Sequence, residues 1–124
     1  MRKIIMAIIA FTAVMAFSGC NEEKSAAKKL VRTFLKENLA DQDYRIMSFS
    51  QLDSTVLISD SVFLQMKAKA GNDVHFKKGF SLSDGAKPKK LMFIRVKYRT
   101  EKDTVFHTFY FDEAFTQVLS FKEG

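Results

Sequence analysis

The sequence predicts an α+β domain in which an N-terminal helix packs on an antiparallel sheet. Two observations carry this prediction: an amphipathic stretch follows an apolar leader that ends at a single cysteine, and the C-terminal third alternates between apolar and polar residues. The amphipathic stretch predicts a helix over 24–39, and the alternation predicts strands between 91 and 122. The chain is accordingly divided into a signal at 1–19, a tether at 20–23 and one domain at 24–124, whose length is typical of a single domain.

The leader has the parts of a bacterial lipoprotein signal peptide. A positive start, Arg2-Lys3, precedes an apolar stretch over 4–17 and two small residues before Cys20. A membrane-spanning helix needs about 20 apolar residues, and this stretch is shorter. The run Phe17-Ser18-Gly19-Cys20 resembles a lipobox, and this resemblance implies a diacylglycerol thioether on the cysteine and cleavage before it.

An ordinary signal peptide with an incidental cysteine and an uncleaved anchor are the alternatives. Cys20 is the only cysteine, so no internal disulfide can form, and acylation accounts for the odd thiol of an exported protein. Two or three acyl chains, palmitate among them, anchor a protein more firmly than one chain does. Asn21 stands where an aspartate would resemble an inner-membrane retention signal, which favours the outer membrane. Glu22-Glu23 is interpreted as solvated linker, with a surface-export tag as the alternative.

The charge limits the class of partner. The net charge is +6, and loss of the two cations Arg2 and Lys3 with the signal lowers it to +4. We expect no nucleic-acid binding from an exported protein of this charge. Attraction to acidic glycans or anionic headgroups is expected, at about 1 kcal/mol per basic residue near a charged surface.

The first predicted helix, 24–39, has an apolar stripe and a basic row on opposite sides. Asn21 or Ser25 is the candidate N-cap, and 41–43 ends the helix. The basic row is interpreted as a solvated helix face, with contact to anionic headgroups as the alternative. The stripe consists of Ala27, Leu30, Val31, Phe34, Leu35 and Leu39, and the row of Lys24, Lys28, Arg32 and Lys36.

The middle of the chain predicts a strand over 44–52 and a short helix over 62–70. Ser59 or Ser61 is the candidate N-cap of this helix, and Gly71 fits its C-terminal end. A strand in the first half of the same stretch is the alternative.

Residues 71–90 are rich in glycine and lysine and contain Pro88, the only proline. This composition predicts a long loop, and a loop of this length in a small domain is often functional. His75 lies in the loop and is expected to be exposed to solvent. The two histidines, His75 and His107, lack the spacing of metal ligands. Neither a metal nor another cofactor is therefore predicted.

The C-terminal third predicts a hairpin of strands over 91–99 and 104–111, joined by a tight turn at 100–103. Pairing of Arg99 with Thr104 makes one face almost wholly apolar, and this face must be the core side. The core face then holds Met92, Ile94, Val96 and Tyr98 opposite Phe111, Phe109, His107 and Val105.

A third strand over 115–122 is predicted to follow a three-residue turn at 112–114. With this turn Phe115, Leu119 and Phe121 join the core face, and His107 lies between Val96 and Leu119. Because the first helix offers the only long apolar stripe, the predicted architecture is an antiparallel sheet with helices on one face.

Several stretches resemble small lipoproteins of Gram-negative gut-type bacteria. This family has a cystatin-like fold, close to that of nuclear transport factor 2, in which a helix is cradled by a curved antiparallel sheet. The resemblance covers most of the mature chain in outline and implies the fold but no catalytic residue, since the family's function is mostly unknown. The long loop at 71–90 departs from the family's compact pattern. The matching stretches are Val31–Leu39, Tyr44–Asp53, Val96–Arg99, Phe109–Asp112 and Val118–Phe121.

The outer face of the hairpin is the leading candidate for a binding surface. Alternate strand residues share a face, which brings three cations together with aromatic side chains. Such a surface can bind an envelope protein or an acidic glycan, and the plain solvated face of a sheet is the alternative. The candidate residues are Arg95, Lys97, Arg99, Phe106 and Tyr110, beside Phe93.

His107 is the candidate for the second hypothesis, a small-molecule or enzymatic pocket between helix and sheet. A buried histidine can act as a general base, but it needs a carboxylate partner that the sequence does not reveal, and a satisfied core histidine is the plainer interpretation. The sequence contains no G-x-S-x-G elbow, no phosphate-binding glycine loop and no H-E-x-x-H. The sequence therefore favours a membrane-anchored, non-enzymatic interaction module over an enzyme, and an envelope spacer without a ligand is a third hypothesis.

Overall fold

The computed structural model describes residues 20–80, 82 and 86–124, and the predicted signal at 1–19 lies outside them. In this part of the chain two helices accompany an antiparallel five-stranded sheet, which confirms the α+β class. In chain order the elements are α1 (Cys20–Asn38), β1 (Arg45–Phe49), β2 (Asp53–Thr55), α2 (Asp60–Gly71), β3 (Leu91–Arg99), β4 (Thr104–Phe111) and β5 (Val118–Glu123).

Helix α1 packs its predicted apolar stripe against the sheet. Ala27, Val31 and Leu35 are fully buried at four-residue spacing, and Leu39 continues the row past the end of the helix. The helix begins at Cys20, so the segment predicted as a tether forms its first turn.

The basic row of α1 is partly engaged by the sheet. The Lys28 ammonium lies 5.4 Å and the Arg32 guanidinium 5.3 Å from the ring centre of Phe49 in β1. These are distances at which a cation is attracted to an aromatic face. The middle of the row is therefore committed to an intramolecular contact.

Strand β3 lies between β4 on one side and both β1 and β2 on the other. The predicted single strand over 44–52 is interrupted, with a register shift between Ile46 and Ser48. Ser50 bridges the gap, because its N–H donates to the Arg95 carbonyl at 2.8 Å and its Oγ accepts from the Arg95 N–H at 2.8 Å. A side chain thus replaces a backbone carbonyl where the strand breaks.

The β3–β4 hairpin has the predicted register. Arg99 pairs with Thr104, and the alternate pairs follow as expected to the far end of the strands. The Thr100 N–H closes the turn by donating to the Asp103 carbonyl at 2.9 Å. The predicted core face, including His107, is confirmed.

The predicted three-residue turn after Phe111 is wrong, because the chain makes a longer connection. The Asp112 carboxylate accepts hydrogen bonds from the Thr116 N–H at 2.9 Å and from the Thr116 hydroxyl at 2.6 Å. Phe115 has a left-handed φ of 56° in this loop. As predicted, it is nevertheless buried in the core on the α1 side. Strand β5 consequently begins at Val118.

The longer connection shifts the register of β5. His107 pairs with Glu123 and does not lie between Val96 and Leu119 as predicted. Phe121 lies in the core with α1 as expected. Leu119 instead joins a second cluster on the other face, after a register irregularity between Tyr110 and Phe111.

Helix α2 packs Phe63 and Met66 against the face of the sheet opposite α1, and its last turn reaches the α1 side through Ala70. The prediction that the helices lie on one face is therefore wrong. The helix itself was predicted, and Ser59 is its N-cap, since its Oγ accepts the Val62 N–H at 3.2 Å. The second cluster exists because the outer face of the hairpin has apolar residues at one end. It consists of Phe63 and Met66 from α2 with Leu91, Tyr110 and Leu119.

The chain after α2 returns to the α1 side of the sheet at the edge formed by β5. Phe76 forms an isolated β-bridge with Leu39, and its ring stacks on Phe121 at a centroid distance of 4.6 Å. The start of the predicted 71–90 loop is therefore fixed to the core. This path places Asp73 and His75 beside β4.

Candidate functional site

The predicted binding face of β3 is exposed and basic. Arg95, Lys97 and Arg99 lie on the face opposite α1, and both arginines are exposed. Phe106 pairs with Lys97 and is 38% exposed. The Arg95 guanidinium lies 5.0 Å and the Lys97 ammonium 5.6 Å from the Phe106 ring centre, so both cations interact with its π-system.

Neighbouring strands add further cations to this face. Arg45 of β1 lies directly opposite Arg99, and Lys122 of β5 lies opposite Thr108. Like charges directly opposite each other destabilise a sheet. Among the described residues, none of these cations has a carboxylate oxygen within 4.0 Å. We call this face the basic surface; it consists of Arg45, Arg95, Lys97, Arg99, Lys122 and Phe106.

Tyr110 is not part of the basic surface, although the sequence placed it there. It lies on the same face of β4 but is only 5% exposed, because α2 covers that end of the sheet. Its ring packs beside Phe93 at a centroid distance of 5.7 Å. Burial also raises the pKa of the Tyr110 phenol. Tyr110 therefore contributes to the second cluster and not to the basic surface.

His107 lies in a filled core. Its side chain is 0% exposed, and the rings of Phe76 and Phe121 lie 5.7 Å and 5.2 Å from it, centroid to centroid. The helix–sheet pocket of the second hypothesis requires space at this position. Aromatic side chains occupy it instead.

His107 does have the carboxylate partner that the sequence did not reveal. Its Nε2 lies 2.7 Å from Asp73 Oδ2, and its Nδ1 lies 2.9 Å from the Tyr98 hydroxyl. On the other carboxylate oxygen, His75 places its Nδ1 at 2.8 Å and its backbone N–H at 2.9 Å. We call Asp73, His75 and His107 the Asp–His cluster.

The electrostatics of the cluster keep Asp73 ionised. Although burial alone raises the pKa of its carboxyl, hydrogen bonds from His107 and His75 outweigh burial and lower the pKa from 3.8 to about 2. Burial and the charge of Asp73 raise the pKa of the Tyr98 phenol. An ionised Asp73 carboxylate accepts a hydrogen bond from the Nε2–H of His107. In that tautomer Nδ1 of the same ring accepts the hydrogen bond of the Tyr98 hydroxyl.

The Asp–His cluster is closed on the side of His107 and open on the side of His75. The side chain of His75 is 15% exposed and that of Asp73 10%, so His75 is more buried than predicted. A groove of about 540 Å³ passes Asp73, His75 and the end of β5. A second, of about 490 Å³, lies between His75 and the β3–β4 turn, where Asp103 Oδ2 is 3.6 Å from His75 Nε2.

Asp73, Arg45 and Lys122 are the residues that sequence reasoning missed or left unassigned. The spacing Asp73-Val-His75 was the available signal, because an aspartate can hydrogen-bond the backbone two residues on, as it does here at 2.9 Å. Arg45 and Lys122 give no signal of their own. Their place on the basic surface depends on strand registers that only the fold defines.

The proposed anchor residue opens the first helix. Cys20 is the first residue of α1. In the described part of the chain, neither helix combines the length and the apolar character needed to cross a bilayer.

Comparison with known proteins returned no relatives. No protein-family model, curated protein or solved structure matches this chain.

Proposed function

We propose that this chain is an exported lipoprotein, anchored at the outer membrane by lipid on Cys20, that binds an anionic partner of the cell envelope through the basic surface. The observation that carries the proposal is the group of cations around exposed Phe106, none of which has a carboxylate oxygen within 4.0 Å among the described residues. An acidic protein segment and an acidic glycan have the required chemistry. We propose in addition that the helix and sheet form a cystatin-like fold, as the resemblance implies.

The filled core at His107 supports a binding module over a pocket enzyme. A small-molecule pocket between α1 and the sheet would need His107 to face a cavity, and its side chain is 0% exposed. The uncovered part of the outer face is, in contrast, available for contact. Helix α2 covers one end of that face, with Tyr110, and leaves the end with Arg99 open.

The spacing of the cations suits an extended partner. Alternate residues of a strand lie about 7 Å apart, so β3 presents a row of positive charges at this interval. Exposed charges of this kind steer association and are weakened by salt, since the screening length is about 8 Å at physiological ionic strength. Binding is therefore expected to weaken as salt rises.

The test is the double charge reversal Arg95→Glu/Arg99→Glu, compared with Lys29→Glu/Lys89→Glu. Both control lysines are exposed and lie outside the basic surface, and both pairs change the net charge equally. The full chain is crosslinked in its native envelope, purified by affinity, and probed for co-purifying protein and acidic glycan. We expect the partner to be lost from the first variant and retained by the second.

The folded state should survive the test substitution. Glu at position 99 would face Arg45 across the strand pair, so attraction replaces repulsion at that point. Equal capture by both variants, or capture by neither of two proteins that fold normally, would contradict the proposed surface.

A further inference from the structure

Three side chains that commonly bind metals meet at the edge of β5, beyond the basic surface and independent of it. Each member of the Asp–His cluster offers one ligand atom, and these atoms all lie within 4.8 Å of one another. Imidazole nitrogens and carboxylate oxygens bind Zn²⁺ at about 2.0–2.2 Å. We propose that Asp73, His75 and His107 form a binding site for a divalent transition-metal ion, with Zn²⁺ as the best match to this ligand set.

The charge of the cluster favours a cation. Asp73 is the acidic centre, and its ionic partners within 4.0 Å in the described part of the chain are the two imidazoles. No lysine or arginine there approaches it that closely. A buried carboxylate is costly unless it is paired. A divalent ion would add two positive charges beside this carboxylate, where the imidazoles now supply hydrogen bonds.

The second nitrogen of each ring is already oriented by an outer partner. His107 directs Nε2 at Asp73 while its Nδ1 meets the Tyr98 hydroxyl at 2.9 Å. His75 directs Nδ1 at Asp73 while its Nε2 faces Asp103 Oδ2 at 3.6 Å. Histidines that ligate metals almost always use their other ring nitrogen to donate to an oxygen acceptor, which fixes the tautomer and the ring plane. Metal binding would therefore move the His107 proton from Nε2 to Nδ1, where the Tyr98 hydroxyl oxygen can accept it.

The ligand set discriminates between metals. Two imidazoles and one carboxylate suit Zn²⁺ and its transition-metal neighbours, whereas Ca²⁺ and Mg²⁺ prefer sites built wholly of oxygen. Three protein ligands leave a fourth position of a tetrahedral zinc ion open. That position would face the grooves beside His75, from which water or a small anion can reach it.

The experiment is a titration of the full chain, purified in detergent without a histidine tag, with Co²⁺ as a spectroscopic substitute for Zn²⁺. We expect saturable binding of one ion, visible absorption of tetrahedral nitrogen–oxygen coordination, and displacement by Zn²⁺. The chain contains only two histidines, so ¹⁵N spectra of its imidazoles report on this site alone. Both rings should shift with Zn²⁺.

His75→Ala is the informative variant, because His75 is at the surface of the cluster and its loss should leave the fold intact. It should weaken Zn²⁺ binding by about tenfold or more, since loss of an outer partner alone costs 10–100-fold. The control Asp43→Ala, at an exposed aspartate of the α1–β1 loop, should bind as the natural protein does. Absence of saturable binding, unchanged imidazole signals, or equal affinity in both variants would show a purely hydrogen-bonded cluster and overturn the proposal.

Discussion

Replacing Asp73 with alanine is predicted to destabilise the domain by removing a carboxylate that links loop, core and sheet. Asp73 accepts hydrogen bonds from His107 Nε2, His75 Nδ1 and the His75 backbone N–H. Alanine leaves all three without this acceptor. The consequences differ, because His107 is 0% exposed whereas the side chain of His75 is 15% exposed.

The magnitude follows mainly from His107. An unsatisfied buried donor costs about 1–3 kcal/mol, and His75 can instead turn towards water. We therefore expect the free energy of unfolding to fall by about 2 kcal/mol. For a domain of this size about 1 kcal/mol corresponds to 4–8 °C, so Tm should fall by roughly 8–16 °C.

The assay is thermal and urea unfolding of the full chain, followed by circular dichroism in the presence of a chelator so that no metal contributes. Asp43→Ala is the matched control, because it removes the same group from an exposed position. It should change the free energy of unfolding by no more than about 0.5 kcal/mol. If Asp73→Ala unfolds at the same temperature as Asp43→Ala, the cluster does not hold the 72–80 loop to the core and the reasoning is refuted.

Two further substitutions test other parts of the molecule. Ser120 is fully buried and its Oγ has no hydrogen-bond partner among the described residues. Ser120→Ala should therefore raise the free energy of unfolding by about 1 kcal/mol. A lower free energy of unfolding for this variant in urea would reveal a partner for the hydroxyl. Cys20→Ala should release the protein from membranes and abolish fatty-acid labelling, because no acylated thiol remains; a variant that stays in the membrane fraction and still incorporates label would exclude the proposed anchor.

The β3–β4 hairpin could be predicted from the sequence because its signal is local and redundant. Alternation along both strands places most apolar residues on one face in the observed register, and a shift by one residue would move that whole set to the other face. The turn at 100–103 fixes the same register independently, with Thr100 bonded to Asp103. Helix α1 was predictable for a similar reason, since its stripe recurs over several turns.

The position of β5 could not be predicted, because it depends on how Asp112 folds the connection. Its carboxylate captures the backbone and hydroxyl of Thr116, and this local bonding lengthens the loop beyond a simple turn. The apolar residues that follow, Val118, Leu119 and Phe121, fit a core face in either register. The alternation of β5 alone therefore does not identify the neighbour of His107.

The Asp–His cluster could not be predicted because its members come from a loop and a strand that the fold brings together. Asp73 and His107 are 34 positions apart, and their contact depends on the path of the chain around β5. The stacking of Phe76 on Phe121 fixes that path. In the sequence, Phe76 is one of many aromatic residues, and nothing in the pattern marks it as the residue that fixes the path.

The direction of α1 relates the proposed anchor to both sites. Near its start, Glu23 and Lys24 share a groove with Asp53 and Met92, at the beginning of β3. Just beyond its end, the Ala40 N–H donates to the backbone carbonyl of His75, a member of the Asp–His cluster, at 3.0 Å. A helix of 19 residues is about 28 Å long, so with lipid on its first residue the cluster lies at the opposite end of the domain from the anchor.

The contacts of Lys28 and Arg32 with Phe49 favour one orientation of α1 relative to a membrane. If the helix lay flat on headgroups through its basic row, Lys28 and Arg32 would have to leave Phe49, which they now flank. An upright α1 keeps these contacts and carries Arg99, which pairs with Thr104 at the far end of β3, away from the bilayer. At more than the screening length of about 8 Å, headgroup charge would be weak there. The anion that neutralises the basic surface is therefore expected on a partner in the aqueous phase, not on the lipid that holds the anchor.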